Sequence, residues 1–367
     1  MLSFKQFVLV GLTISEIIRE RIKSGDGRVQ FELTCNATAA TCSQVKKVLF
    51  VAGECLDNVI KIKKPIVALL NYYDFCHGNA TCSSGLVGAA SHNDVEMDNE
   101  YGNYFYPQAL VKQIGTEKMI NGHINPYDMH IHLNAGYQFH FIGNVSFSQQ
   151  QISLVKVVSH EMLHGLGIAS FFRVLNRTQN LIMPLYNRDP KGNMRFIQNI
   201  FDSRLYIRAT DTPLSSIIDK MNTFSSNITN HTALLHTPYI EKIKVLSSLL
   251  TTNGSIYFLT NNNNQVDIET GYKDYRPGSS VSHLDGAYYY SKESTMIPTA
   301  QNGNGKDSIA DYLGWYTAPY GPLALEVLAS LGYTLKKPKW GHSLGGLVHR
   351  FRQDKARRRK KRQASRH

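Results

Sequence analysis

Apolar residues recur at helical spacing between positions 41 and 60, where Val45, Val48, Leu49, Ala52, Leu56 and Val59 form one stripe and predict a helix. Residues 65–75 form a nearly continuous apolar run bounded by turn chemistry, the pattern of a buried strand. Residues 128–134 alternate strictly, with His130, His132 and Asn134 on the polar face, and predict a half-buried strand. Residues 137–142 read as its hairpin partner or extension. The strongest helical pattern spans 151–164 and stops at Gly165-Leu166-Gly167. Between 171 and 280 the pattern weakens. Helices are predicted near 213–222 and 238–250, and an Asn run fills 261–264, so this stretch reads as a long, surface-rich insertion. Residues 321–332 predict a last helix, with Pro322 in its first turn and Gly332 past its end.

Strands interleaved with helices indicate an α/β (α+β) fold, and 367 residues suffice for a sizeable core. An apolar content of 42% against 19% charged excludes a disordered chain, and no apolar run long enough to span a membrane occurs. The net charge of +12 is concentrated in residues 350–366, where ten Lys/Arg face the single acid Asp354. The basic character therefore belongs to a tail, predicted over 338–367, and not to the folded body. Its run from Arg357 to Arg362 has three readings: a solvated appendage, a processing site for a convertase, or a nucleic-acid-binding or nuclear-import segment. No aromatic platform accompanies the charges, so no specific nucleic-acid partner is expected.

Several features point to export. Lys5 is followed by eight apolar or small residues, 7–14, a short leader pattern placed in residues 1–22. Seven Asn-x-Ser/Thr triplets begin at Asn36, Asn79, Asn144, Asn176, Asn227, Asn230 and Asn253, where roughly four would arise by chance. In a secreted chain these are glycosylation candidates. All five cysteines precede residue 83 and suit two disulfides and one leftover thiol. Cys76 and Cys82 form the expected pair across a five-residue loop, while the pairing of Cys35, Cys42 and Cys55 stays open.

The chemistry-bearing motif is His160-Glu161-Met162-Leu163-His164 inside the strongest helix. Histidines at i and i+4 share a helix face and can reach one metal, while Glu161 is placed to touch a metal-activated water. A catalytic zinc takes three protein ligands and keeps one open position. Ser170, three residues after Gly167, is no zinc ligand. The downstream acids Glu241, Glu269 and Glu293 lack the helical Glu-x-x-x-Asp setting of a ligand. His283 is the better candidate third ligand, followed by Ser294-Thr295-Met296-Ile297-Pro298. Asp285 either supports a ligand imidazole as a neighbour or caps a turn. His130 and His132 read as a solvated face beside the cleft.

In this order of motifs the chain resembles the metzincin zinc peptidases, within them the leishmanolysin-like branch. His160, Glu161, His164 and Gly167 are followed by a distant His283, by Met296 before a Pro-containing turn, and by Leu331-Gly332-Tyr333 at the last helix. The resemblance covers about 45–335. It implies a zincin-like fold with a twisted mixed sheet, a backing helix and an active-site helix in an upper subdomain, 31–167. A lower subdomain, 168–337, would carry the insertion of about 171–280, the third ligand, the Met-turn and the last helix. It implies one catalytic Zn²⁺ on His160, His164 and His283, Glu161 as general base, and Met296 flooring the site. The strand at 128–134 would be the sheet edge that pairs with an extended polypeptide substrate. The implied protein is a secreted, monomeric zinc endopeptidase. The alternative is a catalytically silent zincin-fold binding protein of the cell surface or wall, whose mark would be a lost His or Glu; none is lost here.

Overall fold

The computed structural model describes residues 17–76, 85–99, 102–115, 124–142, 148, 150–188, 192–223, 234–291, 293–300 and 319–336. The chain is mixed α/β, with six α-helices among these residues.

The upper half is built on a five-stranded mixed sheet. Its strands are β1 (Ile18–Lys23), β2 (Val29–Cys35), β3 (Ile66–Tyr73), β4 (Gly88–His92) and β7 (Met129–Asn134), in the order β1-β2-β3-β7-β4. Helix α1 (Ala39–Val59) crosses from β2 to β3, which run parallel, and β7 joins β3 in parallel as well. The α1 stripe read from the sequence is its buried face: Val45, Val48, Leu49, Ala52 and Leu56 are fully enclosed. Thr38 caps the helix by accepting the Thr41 N–H. Strand β4 runs antiparallel to β7 and closes the sheet. A hairpin of β5 (Asp94–Asn99) and β6 (Gly102–Pro107) leads into α2 (Gln108–Ile114). The short parallel pair β8 (Phe139–His140) and β9 (Ile152–Ser153) delivers the chain into α3 (Leu154–Gly165), which packs on β4, β7 and α1.

Three expectations are corrected here. Strand β7 is not a sheet edge, because β3 and β4 occupy both its sides; the edges are β1 and β4, and β4 is the one beside the cleft. Residues 18–22, counted with the leader, belong to β1, which pairs with β2 from Ile18 to Lys23. The upper half therefore begins at Ile18 and not at 31, while the rest of the leader pattern lies outside the described residues. The insertion is not mainly surface. Hairpin β10–β11 (Phe172–Asn176, Leu181–Pro184) packs on α5 (Tyr239–Leu250). The pair β12–β13 (Tyr186–Arg188, Met194–Phe196) follows, and α4 (Ser215–Asn222) contacts β13. Strands β14 (Leu205–Ile207), β15 (Thr212–Pro213), β16 (Ile256–Leu259) and β17 (Gln265–Asp267) form a four-stranded sheet. Phe196, Phe201, Tyr239, Tyr257 and Phe258 are buried within this half. Ring pairs such as Phe201–Phe258, 5.2 Å between centroids, help pack it, and its buried residues are continuous with those of the upper half.

Cys35 and Cys42 form a disulfide between the end of β2 and the first turns of α1. Cys76 is also disulfide-bonded; its expected partner Cys82 lies outside the described residues. Cys55 is the buried leftover thiol, and burial pushes its pKa up to about 12, which keeps it inert. Asn36 and Asn253 are exposed and Asn176 is half-buried, whereas Asn79, Asn144, Asn227, Asn230 and the basic tail lie outside the described residues. No helix among the described residues is long and apolar enough to cross a membrane.

Candidate metal centre

Helix α3 presents His160 and His164 on one face because its far stripe, Leu154, Val158 and Met162, is buried against the sheet and α1. The helix ends in two reversed hydrogen bonds, Gly167 N–H to the His164 carbonyl and Ile168 N–H to the Leu163 carbonyl. That ending requires Gly167 at φ +110, where a side chain is strained, and a β-carbon there would lie 2.5 Å from Pro107 Cγ. The turn aims the Ile168 carbonyl back at His164 Nδ1, 2.7 Å away. The motif glycine thus orients a candidate ligand through the backbone of its neighbour.

His283 arrives from the lower half and lies beside the pair. Its Nε2 is 3.1 Å from His160 Nε2 and 3.3 Å from His164 Nε2, and the last two are 3.1 Å apart. Each ring donates its Nδ1–H to a backbone carbonyl: His160 to Thr295 at 2.6 Å, His164 to Ile168, and His283 to Ser279 at 2.9 Å. A carbonyl only accepts, so the proton sits on Nδ1 and all three Nε2 atoms face one another with lone pairs. Three acceptors at this spacing cannot satisfy each other. A cation can: three ligands of a tetrahedral ion held at about 2.0–2.1 Å lie about 3.3 Å apart. The donor set therefore fits zinc. It is the one group of three or more His, Cys, Asp or Glu among the described residues able to share a metal. Burial keeps the rings neutral, lowering His160 to about 4, His164 to about 3 and His283 well below its ordinary value.

The loop that carries His283 is tightly held. Glu269 N–H donates to the His283 carbonyl, Val281 N–H to the Glu269 carbonyl, and Leu284 N–H to the Met296 carbonyl. Val281 adopts φ +64, an unfavourable region for a β-branched residue, two positions before the ligand. Met296 is fully buried, and the carbonyl before it, that of Thr295, fixes His160. Ser170, three residues past Gly167, donates its backbone N–H to Ser282 Oγ, next to His283. The rejected acids have other tasks. Glu293 accepts the Leu323 and Ala324 N–H groups at the start of α6 (Pro322–Leu331), Glu269 accepts Gly271 and Gly286, and Glu241 pairs with Lys244. Asp285 supports no imidazole: it accepts the Ala287 N–H at 2.7 Å and caps a turn. The neighbours that orient all three rings are backbone carbonyls, which sequence reasoning did not reveal.

Glu161 is 4% exposed, and its Oε2 has no hydrogen-bond partner. Burial pushes its pKa up to about 8, and a cation on the neighbouring histidines would favour its ionised form. The three histidines and Glu161 line a cleft of about 510 Å³ walled on one side by residues 85–92, that is by β4 and the chain leading into it. His130 and His132 are half-buried on β7 and do not line it.

A family model described as SPBPB7E8-like matches residues 12–344, and the chain belongs to that family. A Schizosaccharomyces pombe relative, titled an uncharacterized protein PB7E8.01, is 31% identical over 155 residues, which is 40% of this chain. The match spans 26% of that relative's length. No solved structure matches.

Proposed function

We propose that this member of the SPBPB7E8-like family is a zinc-dependent endopeptidase of zincin-like fold. The carrying observation is the convergence of three lone-pair nitrogens, His160, His164 and His283 Nε2, within 3.3 Å of one another beside an unsatisfied carboxylate oxygen of Glu161. The three histidines would hold the ion. Zinc supplies Lewis acidity there, polarising a scissile carbonyl and acidifying a water. Glu161 takes the proton from the attacking water and passes it to the leaving amine. Strand β4, whose outer edge no other described strand pairs with, binds the substrate backbone in extended form, antiparallel to itself. The order of ligands, Met-turn and last helix supports the resemblance to the leishmanolysin-like metzincins. The disulfides and the exposed Asn36 and Asn253 support action outside the cytosol.

The test is metal analysis of purified protein alongside cleavage of a casein-type substrate with and without chelator. One zinc per chain and chelator-sensitive cleavage are expected. Glu161→Gln should keep the zinc and lose about 10²–10⁴ of the activity. Absence of stoichiometric metal, or a variant retaining more than about a tenth of activity, would overturn the reading.

A further inference from the structure

Beyond the metal centre, one end of the cleft holds charge that the hydrolytic chemistry does not use. Asp94, just past β4, lines the cleft with its side chain 21% exposed. Its Oδ1 lies 2.8 Å from His92 Nδ1, but the contact is out of line for a hydrogen bond, and both atoms are otherwise without partners. The His92 side chain is 5% exposed and stacks on Phe171, whose ring also faces the cleft. Behind Phe171 sits the fully enclosed carboxyl of Asp202, which accepts the Phe171 N–H at 2.8 Å and leaves Oδ1 unsatisfied. One carboxyl group, an aromatic face and an imidazole therefore meet at one end of the cleft, with the second carboxyl enclosed behind them. A carboxylate beside an aromatic ring is what a Lys or Arg side chain needs: an ion partner for its head and an apolar wall for its stem.

The position of this subsite along a substrate follows from the frame. Gly88 abuts Glu161, and His92, four residues on, lies within electrostatic reach of His164, three residues on. Strand β4 and helix α3 therefore advance in the same direction. Lys156, one turn before His160, lines the opposite end and donates to Ser294. A polypeptide antiparallel to β4 enters with its N-terminal side at Asp94 and leaves past Lys156. We infer that the Asp94–His92–Phe171 subsite selects a basic side chain on the N-terminal side of the cleaved bond. This specificity rests on the peptidase reading and goes beyond it.

The experiment uses the zinc-loaded full chain and three fluorogenic peptides differing only in one residue N-terminal to the cleaved bond, Arg, Gln or Glu. Wild type should favour Arg over Gln by about ten-fold or more in kcat/KM, with Glu poorest. Asp94→Asn should collapse the Arg-to-Gln ratio to within about two-fold, and Asp94→Glu should restore it. A ratio that survives Asp94→Asn, or a wild type indifferent to charge, overturns the inference while leaving the peptidase reading intact. If wild type cleaves none of the three, the peptidase reading fails. Fluorescence anisotropy of the same peptides then decides the subsite: tighter binding of the Arg peptide, lost in Asp94→Asn, supports it, and equal binding overturns it.

Discussion

Gly88 and Glu161 approach so closely that a β-carbon on Gly88 would lie 2.6 Å from Glu161 Oε1. The edge strand and the candidate base are thus fitted to one another across the cleft. Gly88→Ala should push the Glu161 carboxylate aside without disturbing the histidines. Peptide cleavage should fall about ten-fold or more, while zinc content stays stoichiometric and unfolding free energy shifts by less than about 1 kcal/mol. Unimpaired cleavage by Gly88→Ala would show that the placement of Glu161 does not matter.

His283 and Ser170 compete on paper for the third ligand position, and only His283 offers a lone pair to the other two imidazoles. Zinc affinity, measured by chelator competition, should fall at least ten-fold in His283→Ala, and should hold within about two-fold in Ser170→Ala. The reverse pattern would dismantle the tripod.

Gly167 carries both a positive φ and a β-carbon clash with Pro107. Gly167→Ala should cost about 1–3 kcal/mol in denaturant unfolding and weaken zinc binding, because the Ile168 carbonyl that holds His164 moves with the turn. An unaltered midpoint would mean that the turn tolerates a side chain there.

Asp202 gives the stability a pH dependence of known sign. Burial pushes its pKa up to about 7, so the folded chain holds this proton more tightly than the unfolded chain does. Stability from this group is therefore full in acid and is lost as pH rises toward about 7. Asp202→Asn keeps an oxygen for the Phe171 N–H and removes the loss. Between pH 5 and 8 the variant should gain on wild type by on the order of 1–4 kcal/mol, read from urea midpoints of the zinc-loaded proteins. Parallel profiles would place the Asp202 carboxyl at its ordinary pKa.

What the sequence revealed depended on element length. Helix α3 was legible because a full apolar stripe, from Leu154 to Met162, sits in one unbroken segment. The edge strand was misassigned for a physical reason. Alternation at 129–134 reports which faces of a strand are buried and says nothing of its two hydrogen-bonding sides. The edge beside the cleft, Gly-Ala-Ala-Ser-His at 88–92, carries small residues that leave no pattern. The lower core went unseen because Phe196, Phe201 and Phe258 lie on or beside strands too short to show a period. The Thr295, Ile168 and Ser279 carbonyls left no trace either, since every residue type carries a carbonyl.

His164 and His283 meet across 119 positions of sequence, and most of the lower half is strung between them. An ion shared by these rings would be a reversible cross-link closing that loop. In a chain-entropy account, a covalent closure of this length removes about 5 kcal/mol of freedom from the unfolded chain. Most of the lower half would then be fastened to the helix by coordination bonds, and metal supply would govern its persistence as well as its chemistry.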